Sequence, residues 1–474
     1  MTPNSATKKI GRLRKILRIV LTGIAVLVVG AIAVYVCSRT APITPAQREA
    51  LELLRKQPPY PGRNAFAALW LLDRDTPTND DAVQTIAATD ARSFAERMRE
   101  TNGGLDVKED DGIWTAPSAS RFARLLKSRE GDPAWCKPAE WMQCLQQVRA
   151  DPDAYAELLE RHKALSSRID ALAQYERYES GFAPSATAPL PPFQHLLSLP
   201  LTRQALAIAQ GDAASALRLG CDNLQLGTML ATRSRDLVSG MVGAKLIAAQ
   251  AQALAWITAA FPDQAIPENC VPATAALPVA DFDLCPHMHG VWEDHRSMMF
   301  PAGRISGASI LVLDVEKTLA RYADAYAETC RATARQHLLR DLPVPDPPAE
   351  SSSLLNRECL ANLVGCKLSD IARPTFAGYQ RRLQDAWAIR QALRSLLWLH
   401  AQPQAASLLE ARDGANLFEL LAQRPQDMQT PARRSSVTAQ ADGSLVFGVP
   451  LYSETYRQQF GADTLPLPLT VAGD

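Results

Sequence analysis

The sequence predicts a mainly α protein with a single N-terminal transmembrane helix, a helical-hairpin ectodomain and a small C-terminal β-hairpin. Three observations carry this reading. Residues 19–37 (IVLTGIAVLVVGAIAVYVC) hold no charge and follow a cluster of six cations. Apolar residues then recur at steps of three and four along most of the chain, the period of an amphipathic helix. Near the end, Asp442-Gly443 separates two short β-prone runs, which is a hairpin signal.

The uncharged run comes first. At about 1.5 Å per residue its 19 positions approach the ~30 Å of bilayer hydrocarbon. Lys8, Lys9, Arg12, Arg14, Lys15 and Arg18 precede it without an acid among them, and only Arg39 follows closely. The positive-inside rule therefore puts residues 1–18 in the cytoplasm as a basic stub. Residues 19–37 become an anchor in a bacterial inner membrane, and everything after them is periplasmic. Ala31-Ile32-Ala33 has the form of a signal-peptide cleavage site, but the apolar run is longer than an ordinary signal core and continues past it, which favours an uncleaved signal-anchor. The next most apolar run, residues 246–260, contains two Gln, so a single pass is expected.

With 474 residues, 47% of them hydrophobic, the chain can fill the cores of two or three domains. Its 50 basic and 50 acidic side chains balance, but the first 18 residues carry +6, so the remaining 456 sum to −6. A mildly acidic body disfavours nucleic acid, whose affinity comes mostly from Lys and Arg on phosphates.

Setting aside Cys37 inside the anchor leaves Cys136, Cys144, Cys221, Cys270, Cys285, Cys330, Cys359 and Cys366. An even number in a translocated domain reads as disulfides. Proximity pairs Cys136 with Cys144, Cys270 with Cys285 and Cys359 with Cys366, and leaves Cys221 to Cys330. No C-x-x-C is present, so the thioredoxin-like redox motif is missing.

Along the ectodomain, residues 44–56 open with Thr-Pro, a cap with Pro at the first helical position, and stop at Pro58-Pro59. Residues 64–72 (NAFAALWLL) form a compact apolar helix. Residues 73–117 are mostly polar, with a short helical candidate at 94–99. Residues 144–160 and 165–179 are strongly helical, and five prolines within 184–200 mark a linker. Residues 205–260 read as two or three helices turning at Gly211-Asp212. Residues 261–286 form a Pro-rich loop, 310–339 one long helix, 376–401 and 408–423 further helices, and 436–440 with 445–449 the hairpin. The domains are accordingly 1–18 stub, 19–37 anchor, 38–183 first helical block, 184–200 linker, 201–430 second helical block, and 431–474 hairpin and tail.

Sequence-local enzyme signatures are absent: no phosphate loop, no G-x-G-x-x-G, no G-x-S-x-G, no H-E-x-x-H. Asp73-Arg74-Asp75, two carboxylates behind an apolar helix, reads as a helix-end charge cluster, with acid/base work as the alternative. His287, His289 and His295 place three of the seven histidines within nine residues, beside Glu293 and Asp294. Zinc or copper would suit such donors. Pro286 and Gly290 bracket the first two, so the stretch is expected to be a loop and, at first reading, solvated, dispensable for folding and without a tightly held metal. No cofactor is expected. The function expected is non-enzymatic: a disulfide-stapled periplasmic helical body that binds another envelope protein or joins an envelope assembly. The alternative is a periplasmic metal-binding protein or enzyme centred on His287, His289 and His295.

Overall fold

The computed structural model describes residues 4–55, 58–100, 114–126, 129–185, 187–299, 311–347, 356, 358–371 and 375–471. It is mainly α, with a small antiparallel sheet near the C-terminus. Two compact units form: residues 1–53, 302–326 and 348–374 make the first, and residues 54–301, 327–347 and 375–474 make the second.

In the first unit a helix runs from Asn4–Thr40, about 55 Å at the α-helical rise, and exposes its apolar stretch along its whole length. It is long and apolar enough to cross a membrane. The helix Pro45–Leu53 begins with a capping box: Gln47 N–H donates to Thr44 Oγ1 at 3.1 Å, and Thr44 N–H to Gln47 Oε1 at 2.9 Å. It packs on the helix Val315–Tyr326, which also carries the helix Leu363–Ile371.

The second unit is built around the helix Leu237–Ala260. This helix is as long as a span and apolar, yet two-thirds of its most apolar stretch is buried. It lies against the helices Ala213–Thr232 and Ala377–His400. Contact with the first of these is close enough to need glycine: a Cβ on Gly243 would collide with the backbone of Ala231, and one on Gly227 would stand 2.8 Å from Leu246 Cβ. The turn at Gly211-Asp212 lies where expected, after the helix Gln194–Ala209, and the Asp212 side chain caps the next helix by accepting from Ser215 N–H. One apolar cluster takes in Phe66, Leu69, Phe94, Leu165, Leu172, Leu196, Leu226 and Leu246. Residues from both sides of the 184–200 segment thus share a core, and Leu196 and Leu199 of that segment are themselves buried in it.

Strands β1 (Ser436–Ala439), β2 (Leu445–Pro450) and β3 (Thr464–Pro468) pair antiparallel in that order. The expected hairpin is present, with Ala439 opposite Leu445, and the helix Glu454–Phe460 leads into a third strand that the sequence reading lacked. Arg433 holds this end of the chain in place. Its side chain has no exposure and donates to Asp341 Oδ2 and Oδ1 at 2.7 and 2.9 Å, to Asp385 Oδ1 at 2.6 Å and to the Pro450 carbonyl at 2.8 Å. Asp385 also accepts from Tyr452 and Ser453 N–H, each at 2.8 Å.

Several expectations are corrected. Residues 80–100 are one helix, Asp80–Glu100, whose inward stripe Val83, Ala87, Asp90 and Phe94 has helical spacing but contains one charge and one small residue. The long helix expected over 310–339 is broken into Val315–Tyr326, Glu328–Cys330 and Ala332–Leu339. The helix expected within 408–423 is divided at Arg412 into Ala405–Glu410 and Gly414–Ala422. The loop expected at His287 and His289 is a helix, Cys285–Met299, with Pro286 in its first turn, where the missing N–H would have no partner within the helix.

Two of the four expected cysteine pairs also change. Cys136–Cys144 and Cys359–Cys366 are bonded, but Cys221 joins Cys270 and Cys285 joins Cys330. Asn269 explains the first exchange: its side-chain amide donates to Arg218 O and Asp222 Oδ1, seating the short helix Cys270–Ala273 beside Cys221. Cys285 then starts a helix of its own and meets Cys330 in the turn Glu328–Cys330.

Non-reducing peptide mapping should therefore recover Cys221 linked to Cys270 and Cys285 linked to Cys330. These bonds close separations of 49 and 45 residues against 8 and 7 for the other two, so replacing either long-range pair by Ala should cost about 4 kcal/mol against about 2.5 kcal/mol for a short one. Asp385→Ala should cost on the order of 3–5 kcal/mol, because it leaves Arg433 and two backbone N–H groups buried without their acceptor. Denaturant titration measures the loss, and limited proteolysis should find the first new cut beyond Arg433.

Candidate functional site

A groove of about 880 Å³ opens in the second unit. Its floor is aromatic. Trp70 and Trp114 stack with ring centres 6.5 Å apart, and Phe182 meets Trp70 edge-on at 4.7 Å. Asp90, fully buried, fixes this floor by accepting Trp70 Nε1–H at 2.7 Å and Ser118 N–H at 2.9 Å. One rim comes from two short paired segments, where Leu125 N–H donates to Asp73 O and Asp75 N–H to Ala123 O. That pairing brings Arg74 and Arg124 to either side of the Asp73 carboxylate, at 3.7 and 3.8 Å. The opposite rim is Pro189-Leu190-Pro191-Pro192, whose prolines have no N–H to satisfy, followed by Phe193 and His195.

His195 is buried, and burial lowers its pKa; Asp73 opposes that shift while Arg124 and His162 add to it. The ring is neutral near pH 7. No hydrogen bond among the described residues holds the ring. The groove thus offers aromatic faces, apolar walls, an arginine rim and one neutral imidazole. That chemistry suits an amphipathic segment with an acidic or carbonyl-rich edge. A second recess of about 960 Å³ lies beside Trp141, Trp256 and the sheet, but its charged residues Glu140, Arg149 and Asp442 are all exposed.

The three histidines singled out in the sequence do not converge. On the helix Cys285–Met299, His287 and His289 point about 200° apart. His287 is buried: Nε2 lies 3.0 Å from Ala231 O, and Nδ1 lies 3.2 Å from both Ser234 Oγ and Asp236 O. Its ring fills the space that a side chain on Gly240 would occupy. His289 Nε2 faces the bonded Cys285 sulfur at 3.9 Å, and His295 stacks on Trp292. The expectation of a solvated loop is overturned for His287 and His289, because a helix carries them into the core. Among the described residues no three of His, Cys, Asp or Glu gather as a metal site.

Burial holds His287 neutral, moving its pKa from 6.5 down to about 4. The same helix carries the opposite case. Burial raises Asp294 from 3.8 to about 7, aided by the nearby charges of Asp236 and Glu293 and opposed by the hydrogen bond from Ser185 N–H at 2.9 Å. Asp236, which caps the helix Leu237–Ala260 through Ser239 N–H, is also raised by desolvation.

Sequence reasoning pointed at Asp73 and Arg74 as a helix-end charge cluster, with acid/base work as the alternative, and it missed Trp114, Arg124 and His195. The four groove segments are 70–74, 114–126, 189–195 and 238–242, and nothing local to any of them signals the other three. No family model matches the chain, and no curated protein or solved structure is significantly similar to it.

The paired shifts of His287 and Asp294 make a pH prediction with a definite sign. The unfolded chain protonates His287 near pH 6.5 and the folded chain near 4, so this group removes up to about 3 kcal/mol as pH falls through that window. Asp294 works the other way, since the folded chain takes up its proton near 7 and the unfolded chain near 3.8. Asp294→Asn keeps an acceptor for Ser185 and removes the buried charge. It should be more stable than the parent at about pH 8, on the order of 2 kcal/mol, and lose stability more steeply on acidification. His287→Gln should flatten the acid limb. Chemical unfolding of the solubilised chain at several pH values measures both.

Proposed function

We propose that this chain is a single-pass protein of a bacterial inner membrane whose periplasmic body binds a segment of another envelope protein. An apolar helix behind six cations supports the anchor and its orientation. Four disulfides support an oxidising compartment for the body. The observation that carries the binding role is the groove over Trp70 and Trp114, with Arg74 and Arg124 at its edge. Trp and Arg are the residues that dominate protein-recognition energetics, and Asp90 holds the floor rigid, so little ordering cost remains when a segment docks.

Topology is tested by fusing a periplasmic phosphatase after Tyr60: activity supports the orientation, and activity of a cytoplasmic reporter at the same point overturns it. Binding is tested in native membranes with a photo-crosslinking residue at Leu126 or Gln194, both lining the groove, and at exposed Lys163 as a control. A discrete protein adduct is expected at the first two positions and not at the third, and Trp114→Ala should weaken capture about thirtyfold, as loss of one aromatic anchor does. Equal labelling at all three positions, or an adduct indifferent to Trp114→Ala, overturns the reading.

A further inference from the structure

The helix Leu363–Ile371 in the first unit is built inside out. Its inward face is Gly365, Cys366 and Ser369, small or polar. A Cβ on Gly365 would collide with Thr318 Oγ1 and Asn362 Oδ1, so the helix sits directly on a polar seam, in which Thr318 Oγ1 donates to Asn362 Oδ1 at 3.1 Å and Asp314 N–H donates to the same oxygen at 2.8 Å. The Cys359–Cys366 disulfide locks that face inward. The outward face is Leu363, Val364, Lys367, Leu368 and Ile371, which fall on one side at helical spacing, and Ile371 is 82% exposed. Leu311 and Val312 extend the patch, because Val364 N–H donates to Val312 O at 3.1 Å, and both are exposed. Soluble monomers rarely show so continuous an apolar surface.

The same elements are joined to the end of the apolar helix Asn4–Thr40. Ser38 is fully buried, and its Oγ accepts Ala361 N–H at 2.9 Å. Lys317 Nζ donates to the carbonyls of Ser38 and Arg39, satisfying the helix C-terminus with a cation. Arg39 donates to Leu313 O at 3.2 Å. The outward face therefore begins two residues after Ala361 and one before Leu313, and both of these are hydrogen-bonded to the two residues that follow the uncharged run 19–37.

We propose that the face made by Leu363, Val364, Leu368 and Ile371, continued by Leu311 and Val312, lies in the lipid interface on the exit side of the membrane. The protein thereby holds its bilayer by an in-plane helix as well as by a span. The proposal rests on reading residues 19–37 as that span. Lipid is favoured over a protein partner because the patch is continuous with the chain's own bilayer exit, and because Lys367 stands among the apolar side chains, where its stem can lie along them while the ammonium reaches lipid phosphate. A depth of about 5–10 Å is expected for such a face.

The test uses the full chain with Cys37→Ala, carrying Leu368→Cys or Ile371→Cys, or Val29→Cys within the span. Each variant is labelled after folding with an environment-sensitive fluorophore and reconstituted in vesicles of phosphatidylethanolamine and phosphatidylglycerol. One free thiol before labelling confirms that the four disulfides have formed. At Leu368 and Ile371 a shallow nitroxide lipid should quench emission about twofold, while aqueous iodide should have little effect. Iodide quenching at both sites, with Val29 quenched by lipid, overturns the interfacial face and leaves the anchor standing. Iodide quenching at Val29 overturns the anchor reading and this proposal with it. Shielding at Leu368 and Ile371 from both quenchers assigns the face to a second copy of the chain and overturns the proposal.

Discussion

Arg433 joins three separate parts of the chain through one guanidinium. It binds Asp341 just after the helix Ala332–Leu339, Asp385 inside the helix Ala377–His400, and the last carbonyl of β2. Removing such a group from water costs several kcal/mol, and the loss is recovered only when every donor finds a well-placed acceptor. Burial alone would favour the neutral arginine, but the two carboxylates keep its proton in place and raise its pKa. The Tyr452 ring lies 3.8 Å from the guanidinium carbon, and the Tyr452 hydroxyl donates to Asp341 O at 2.7 Å. Asp341 accepts a backbone cost to take part. Its φ of 47° is a left-handed conformation that glycine would adopt more readily, but glycine has no carboxylate to offer Arg433. The sheet therefore docks as a consequence of this charge arrangement, and the helices that flank it are held in register by the same atoms.

Much of this architecture was legible because it obeys local rules. Gly211-Asp212 marks a turn whose second residue caps the next helix, and Asp442-Gly443 marks a hairpin whose Gly443 has φ 78°. What stayed hidden depends on distant partners. β3 reads Thr-Leu-Pro-Leu-Pro, a poor strand by composition, and it is tolerated because it is an edge that pairs only with β2. Cys270 lies 15 residues before Cys285 but bonds Cys221, because an Asn269 side chain decides which helix its neighbour rests on. Asp90, central to the groove floor, interrupts an apolar stripe and so concealed a 21-residue helix.

The chain also contains two long apolar helices with different fates, and composition explains most of the difference. Mean hydropathy reaches 2.7 in the N-terminal helix and 1.3 in Leu237–Ala260. The second carries Lys245, Gln250 and Gln252, and it spends Gly240 and Gly243 on close contact with His287 and with the helix Ala213–Thr232. A helix whose small residues match particular neighbours belongs in a packed core, whereas the N-terminal helix exposes large branched side chains along its apolar stretch and is matched by neighbours only at its end, from Ser38 on.

The groove follows from the same economy of buried charge. Asp90 and Asp73 each stand with little or no exposure, and each faces groups from another segment: Trp70 and Ser118 hydrogen-bond Asp90, while Asp73 pairs with Arg124 across the two short segments as well as with its neighbour Arg74. A buried carboxylate with distant donors is costly to rearrange, because any shift leaves its charge unmatched. The floor and rim are therefore set by the fold itself. On the proposed reading, a docking segment would meet rigid aromatic faces held by buried acids first, and the charge of Arg124, which extends into water at the edge, second.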